Sequence, residues 1–188
     1  ELWRLFKLWI MRTFIGRIRS RMSMYALLLE APILALLIAG TLRAASTEEY
    51  LFYHSLHINE YLFLSLVLAM FFGLTDSACE IIRDRNLIRR ESNYKMFIPG
   101  YLLAKILVLT GIASLQCALY LWVSNHILEI QAMFWQHFGI MTLTAFIGIA
   151  LSLMVSSLVR SEKTALNIVP LLLVPQILLA GALIRFEE

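Results

Sequence analysis

The chain has 188 residues, of which 60% are hydrophobic, 12% aromatic and only 15% charged, and its formal net charge is +3. Its mean hydropathy is +0.77. Water-soluble domains contain about 25% charged and about 45–50% apolar residues, so this chain has more apolar surface than a soluble core can bury. The composition predicts an integral membrane protein and excludes most soluble enzymes.

Residues 1–22 have the pattern of an amphipathic helix. Leu2, Leu5, Phe6 and Trp9 recur at i, i+3, i+4 and i+7, which places them on one helical face. Six cations lie in the same segment: Arg4, Lys7, Arg12, Arg17, Arg19 and Arg21. The small-residue cleavage site of a signal peptide is absent from it. We expect this helix to lie in the lipid headgroup layer, with Trp9 among its interface anchors.

Five apolar stretches follow, each about as long as the ~20 residues that a helix needs to cross ~30 Å of hydrocarbon. They are Met24–Leu42, Tyr61–Cys79, Pro99–Val123, Phe134–Leu158 and Ala165–Ile184. Backbone polar groups in lipid must be bonded internally, so all five spans should be helical. The predicted fold is an all-α polytopic bundle, in which the amphipathic helix of residues 1–22 precedes a membrane domain over residues 23–188.

The distribution of Lys and Arg predicts how the bundle is oriented. Six of these cations lie in residues 1–22, five in residues 83–95 and two in residues 160–163, whereas the other side has only Arg43 and Arg185. Because cytoplasmic flanks contain the excess of Lys and Arg, the amino terminus is predicted to be cytoplasmic.

Motifs that indicate enzymatic chemistry are absent. No segment fits G-x-x-x-x-G-K-[ST], G-x-G-x-x-G, H-E-x-x-H or G-x-S-x-G, so the sequence encodes no phosphate loop, dinucleotide site, zinc helix or nucleophile elbow. Cys79 and Cys117 lie in apolar runs without a ligand partner, which is typical of packing residues. We expect no catalytic, cofactor or metal site in this chain and no nucleic-acid partner. Any nucleotide chemistry should belong to another domain or polypeptide.

The densest polar stretch runs from Asp76 to Glu91, off the end of the second span. Asp76, Glu80 and Asp84 are four residues apart, which stacks three carboxylates on one helical face, where they repel unless partnered. One interpretation is a solvated loop. The other is an amphipathic helix that contacts a cytoplasmic partner and transmits the motion of that partner into the second and third spans.

Charged residues inside the predicted spans are candidates for function. An ionised Glu30 near the bilayer centre would cost on the order of 2.5–3.5 kcal/mol, so it should be neutral, paired or facing a wet cavity, unless it reaches water at the membrane edge. For Lys105, an ion pair with Asp76 or Glu80 is favoured over extension of its side chain to the surface. His137 has the position of an ordinary interfacial residue.

The polar stretch and the third span together resemble a known family pattern. The residues that carry the resemblance are Glu80, Arg85, Arg90, Glu91, Tyr94, Tyr101 and Lys105. Their order is similar to E-x(n)-R-x(n)-R-E-x(n)-Y-x(n)-K in the G-subfamily (White-like) ABC exporters, a branch of the type 2 ABC exporters, and bacterial members are the most similar. The basic start, Pro32 in the first span and the Pro175-Gln176-Ile177 sequence also resemble that family.

The resemblance implies the membrane-spanning domain of an ATP-driven exporter for an amphipathic or lipidic substrate. Residues 80–98 would form the coupling region that contacts an ATP-binding cassette domain, fused upstream or separate, which would bind ATP and Mg. The coupling residues would be Glu80, Arg85, Arg90, Glu91 and Tyr94. A homo- or heterodimer in the bacterial inner membrane is also implied, and the sixth span of the family is missing, so we expect the sequence to be a fragment. Ser92-Asn93 replace the glycine that family members usually have here.

The resemblance also places a substrate cavity between the second and fifth spans of two subunits. The expected lining residues are Met70, Phe71, Phe72, Asn167, Leu171, Val174 and Leu178. Pro170 and Pro175 predict local bending of the fifth span.

Three alternatives remain open. The first is the permease of a polysaccharide-type ABC exporter, whose membrane domain has a related architecture. A non-catalytic assembly subunit would only pack and bind anionic lipid through its basic helix. An intramembrane enzyme acting on a lipid would use Glu30, Asp76 or His137, but its catalytic groups must converge, and the predicted topology separates His137 from Asp76.

Overall fold

The computed structural model describes residues 2–19, 21–45, 58–92, 98–130 and 133–179. Regular structure in these residues is entirely α-helical. The helices are α1 (Leu2–Arg19), α2 (Arg21–Ala45), α3 (Ile58–Ser77), α4 (Glu80–Ser92), α5 (Ile98–Leu128), α6 (Phe134–Leu158) and α7 (Glu162–Leu179). The predicted all-α bundle is confirmed.

Four segments of these helices are long and apolar enough to cross a membrane. They are Met24–Arg43, Asn59–Arg89, Ile98–Leu128 and Phe134–Leu158, which coincide with the first four predicted spans. The fifth predicted span coincides with α7 as far as Leu179, and its remaining residues lie outside the described part of the chain. Both α2 and α7 continue as helices through their prolines.

Glycines allow α3 and α6 to approach until their backbones touch. A Cβ atom on Gly73 would lie 2.2 Å from the carbonyl oxygen of Ala145, and one on Gly148 would lie 2.8 Å from that of Met70. Small residues at such crossings are typical of membrane bundles, because van der Waals contact rather than hydrophobic burial holds helices together in lipid. The Ser152 hydroxyl adds a hydrogen bond of 2.7 Å to the Leu74 carbonyl across the same interface.

The remaining helices pack around this pair. α2 lies against α5 through a row of fully buried alanines, Ala31, Ala35 and Ala39. α7 contacts α3 through Ala165 and Val169, which belong to one apolar cluster with Leu74 and Cys79 of the α3–α4 region.

A two-residue turn at Ala78–Cys79 separates α3 from α4. α4 then packs against α6, while α1 packs against α5 and α2. As a result α1, α4 and the first turns of α5 meet at one end of the bundle, which we call the α4 end.

A buried ion-pair network at the α4 end

Lys105 is the central residue of a cluster of buried charges. Its side chain is 1% exposed, and its Nζ lies 3.1 Å from Glu80 Oε2 and 2.5 Å from Asp84 Oδ2. The ammonium group also donates to the Glu80 carbonyl oxygen at 2.9 Å and to the Tyr101 hydroxyl at 2.9 Å, and that hydroxyl donates to Asp84 Oδ2 at 2.7 Å. Lys105 therefore forms the expected ion pair with Glu80, while its second carboxylate partner is Asp84 and not Asp76.

Arg17 of α1 completes the cluster from the other side. Its Nη2 lies 2.7 Å from Glu80 Oε1, and the two side chains are 12% and 11% exposed. The same nitrogen donates to the backbone carbonyl of Asp76. Each Glu80 oxygen thus has its own cation, Arg17 from α1 and Lys105 from α5. We call Arg17, Glu80, Asp84, Tyr101 and Lys105 the Glu80 network; it joins three helices.

Asp76 lies next to this network but is not bonded into it through its side chain. It is 4% exposed, and neither carboxyl oxygen has a hydrogen-bond partner among the described residues. Arg17, Glu30 and Glu80 are the charges that act on it. The turn at Ala78–Cys79 interrupts the helix between Asp76 and Glu80, so the three carboxylates do not form the single stack that their spacing predicts. Glu30 itself is half-buried on α2.

Two arginines connect α4 to the end of α6 and to the start of α7. Arg85 Nη2 donates to the carbonyl oxygens of Ser157 at 3.2 Å and Val159 at 2.9 Å. These carbonyls belong to the end of α6, where no further helical turn can bond them. Arg83 Nε lies 3.7 Å from Glu162 Oε1 at the start of α7, and both side chains are about half exposed. Arg85, expected to contact a partner domain, therefore holds the α6–α7 connection.

The last predicted coupling residues have no described side-chain contacts. Arg90 and Glu91 lie in the final turn of α4, and only their backbone is described. Tyr94 lies outside the described residues. Their contact with a cassette domain stays a prediction.

The expected cavity residues divide into buried and exposed groups. Phe72 is fully buried in the main core, while Met70 and Phe71 are half-buried and pack on the cluster that joins α3 to α7. The α7 residues of the expected lining are all exposed: Asn167, Leu171, Val174 and Leu178. Within one chain, Met70 and Phe71 of the expected lining lie beside the contact between α3 and α7. The exposed residues of α7 lie on the face that is turned away from α3.

Two of the three groups named for an intramembrane enzyme, His137 and Asp76, are not brought together. His137 Nε2 lies 2.6 Å from Ser65 Oγ, and Ser65 is 11 positions before Asp76 on the same helix, about 16 Å along its axis. Asp76 and His137 are therefore far apart, as the predicted topology requires. Among the same residues, no group of three His, Cys, Asp or Glu could hold a metal ion.

The sequence analysis did not assign a partner to Arg17, one of six cations in the first segment. Arg17 and Glu80 are 63 positions apart in the chain, and no spacing rule connects them. The available signal was that a buried carboxylate needs a cation, but this need does not identify which of the cations is the partner.

Comparison with known proteins identifies the family of the chain. The sequence model of the family described as ABC-2 type transporter matches residues 4–188. No curated protein matches the chain significantly, and no solved structure does. The match covers nearly the whole chain and agrees with an all-helical bundle of apolar spans. This integral membrane protein, the transmembrane component of an ABC transporter, therefore belongs to the ABC-2 type transporter family.

Proposed function

We propose that the chain is the membrane domain of a bacterial exporter of the G-subfamily (White-like) type, which moves an amphipathic or lipidic substrate out of the cell. Family membership supports a permease that works with an ATP-binding cassette component. The resemblance of Glu80, Arg85, Arg90, Glu91 and Lys105 to the subfamily pattern supports the finer assignment. The observation that carries the proposal is the Glu80 network, because it bonds α4 to the rest of the bundle.

In this proposal α4 receives the motion of the cassette domains when they bind ATP. α4 is bonded to α5 through Lys105, to α1 through Arg17 and to the end of α6 through Arg85. Breaking one partner from a buried ion pair costs about 3–5 kcal/mol, so α4 can displace the attached helices before the network dissociates. A push on α4 is thereby distributed to three helices at once.

The alternating cavity would form between two copies of the membrane domain. The exposed apolar residues of α7 support this. Leu171 is 70% exposed and Val174 is 52% exposed. Adaptable apolar side chains suit an amphipathic substrate. We propose that this face of α7 borders the cavity of the dimer, with the amino terminus and the α4 end in the cytoplasm.

The coupling role of α4 can be tested with Arg85→Gln in the complete transporter, including its cassette component. The substitution removes two charge-assisted hydrogen bonds to α6, each of about 1.5–3 kcal/mol, and leaves the Glu80 network intact. We expect basal ATPase activity to remain, and substrate-stimulated ATPase and transport to fall by about tenfold or more.

The matched control is Arg160→Gln, which removes one guanidinium from an exposed position beside the end of α6. At equal expression it should transport like the wild type. The proposal fails if Arg85→Gln also couples normally. The variant Arg90→Ala with Glu91→Ala tests the predicted cassette contact in the same assay, and normal coupling there would remove that pair from the interface.

A further inference from the structure

The carboxyl group of Asp76 is buried at the α4 end without a bonding partner in the described part of the chain. The residue is 4% exposed, and neither carboxyl oxygen accepts or donates a hydrogen bond there. An ionised carboxylate that is buried without a hydrogen-bond partner has a large desolvation cost, and such a group binds a proton instead of staying charged. The geometry therefore favours the neutral carboxylic acid at this position.

The charges around Asp76 favour the same form. One cation and two carboxylates act on it, and they are Arg17, Glu30 and Glu80. The cation is already engaged, because Arg17 Nη2 lies 2.7 Å from Glu80 Oε1. The two carboxylates repel a negative charge on Asp76. An ionised Asp76 would thus compete with Glu80 for the same guanidinium group.

The other helices that pack against α3 contribute no further charge to this carboxyl group among the described residues. On α5, Lys105 belongs to the Glu80 network, and the Cys117 thiol is the group on which the carboxyl itself acts. On α6 the described titratable group is His137, at the opposite end of the bundle. On α7, Glu162 and Lys163 are both exposed. Arg17 is therefore the cation available to an ionised Asp76.

Arg17 is placed between the two carboxyl groups. The Nη2 atom that bonds to the Glu80 side chain also donates to the backbone carbonyl of Asp76. The Arg17 Nε–H is buried and has no hydrogen-bond partner among the residues that the structure describes. An unused donor thus lies on the residue that already contacts Asp76, whose two side-chain acceptors are unused as well.

We infer that Asp76 is a proton-binding site, and that its proton determines which carboxylate Arg17 binds. With the proton bound, Arg17 stays on Glu80 and bonds α1 to α4. When the proton leaves, the O–H bond breaks, the electron pair stays on the Asp76 oxygen and the proton passes to water. The new carboxylate then draws the Arg17 side chain away from Glu80, which keeps Lys105 as its cation.

The exchange changes the helix to which α1 is bonded. In the protonated form α1 is bonded to α4, and in the ionised form it is bonded to α3. If α4 receives the motion of the cassette domains, as proposed above, then α1 follows that motion only while Asp76 is protonated. This consequence depends on the proposed function, whereas the proton site does not and is tested without transport.

Infrared spectroscopy of the complete transporter in lipid bilayers tests proton binding, because a protonated carboxyl group has a C=O stretching band that a carboxylate lacks. The variant is Asp76→Asn, and the matched control is Glu162→Gln, which removes a half-exposed carboxylate from the same end of the bundle. At about pH 6, where ordinary aspartates are ionised, we expect a band that Asp76→Asn loses and Glu162→Gln retains. The band should decline as the pH rises, since the group then gives up its proton.

Two further variants keep Asp76 and shift this band in opposite directions. Arg17→Gln removes the cation that the ionised form would bind, so the band should persist to a pH that is higher by about one unit or more. Glu80→Gln frees Arg17 for Asp76, so the band should disappear at a pH that is lower by a similar amount. Lys7→Gln, at an exposed position of α1, is the control and should leave the pH dependence of the band unchanged.

A double-mutant cycle tests the change of partner. The coupling between Arg17 and Glu80 is obtained from the unfolding of the wild type, Arg17→Gln, Glu80→Gln and the double variant in mixed micelles. Below the midpoint of the band, we expect the coupling to change the unfolding equilibrium constant by about tenfold or more. Above the midpoint it should be lost. In an Asp76→Asn background the coupling should be equal on both sides of that pH.

Two results would overturn the inference. If Asp76→Asn had the same carboxyl band as the wild type at every pH, Asp76 would be ionised throughout. If the coupling between Arg17 and Glu80 did not depend on pH in the wild type, Arg17 would keep a single partner. A complete transporter that shows both effects but moves no lipidic substrate would contradict the proposed function alone.

Discussion

Lys105 Nζ of α5 lies 3.1 Å from the Glu80 side chain at the start of α4, and the same ammonium group donates to the Glu80 backbone carbonyl. One residue is thus held through both its side chain and its main chain. The first turn of α4 cannot move away from α5 without exposing or stranding a charge in a region that is almost closed to solvent.

We predict that Lys105→Met destabilises the folded chain by about 3 kcal/mol or more. The substitution leaves Asp84 without its cation and Glu80 with only Arg17, and an unpaired buried charge has a large desolvation cost. The free energy of unfolding in mixed micelles measures the effect. The control is Arg83→Met, which removes a cation from an ion pair with Glu162 whose side chains are 56% and 50% exposed.

Exposed pairs of that kind contribute about 0–1 kcal/mol, so Arg83→Met should stay within that range. Similar losses in the two variants would show that the Glu80 network has no special energetic role.

We predict that Gly73→Ala separates α3 from α6 and lowers the unfolding free energy by about 1–3 kcal/mol or more. The added methyl group would lie 2.2 Å from the Ala145 carbonyl oxygen, and its three nearest atoms all belong to the backbone of α6, which cannot rotate away. Gly111→Ala is the matched control, because nothing lies within 4 Å of its Cβ position and alanine is the better helix former. A thermal midpoint unchanged by Gly73→Ala would contradict the close backbone approach.

We predict that Ser65→Ala destabilises the end of the bundle opposite to α4 by about 1–3 kcal/mol. The Ser65 hydroxyl donates to the Leu62 carbonyl and accepts from His137 Nε2 at 2.6 Å, and His137 is only 6% exposed. Removing the Ser65 hydroxyl leaves the buried imidazole N–H of His137 without an acceptor. Ser114→Ala, whose hydroxyl bonds only to its own helix at an exposed site, should cost much less in the same unfolding assay.

We predict that a cysteine placed on α4 reacts with a membrane-impermeant maleimide only from the cytoplasmic side. Asn86→Cys supplies an exposed thiol at the α4 end, and Gln136→Cys supplies one at the opposite end, while both native cysteines are buried. Intact cells should label Gln136→Cys, and inverted vesicles should label Asn86→Cys. The reverse pattern would contradict the orientation inferred from the Lys and Arg distribution.

The positions of the first four spans could be predicted from sequence because hydropathy is a local property. Each predicted stretch coincides with a helix, although the Pro99–Val123 stretch begins one residue after the start of α5 and ends five residues before its last residue. The need of Lys105 for a carboxylate could be predicted for the same reason, since an isolated ammonium group in an apolar span requires a partner. Glu80 was one of the two candidate partners, whereas Asp84 was not a candidate.

Asp84 bonds to Lys105 because the short turn at Ala78–Cys79 redirects the chain before α4 begins, and the spacing of four residues contains no information about that turn. The approach of α3 to α6 escaped prediction as well. Gly73 and Gly148 are 75 positions apart, and neither is marked by a local pattern. Contacts between helices that are far apart in the chain could not be predicted from one sequence.

The backbone contact at Gly73 and Gly148 limits how the bundle can change shape. The main chains of α3 and α6 touch only where a glycine lacks a side chain. If the helices slid along each other, a neighbouring residue would bring its side chain into the main chain of the other helix. α3 and α6 must therefore travel as one rigid body, and any opening toward either face of the membrane has to take place at the seams that α2, α5 and α7 make with it.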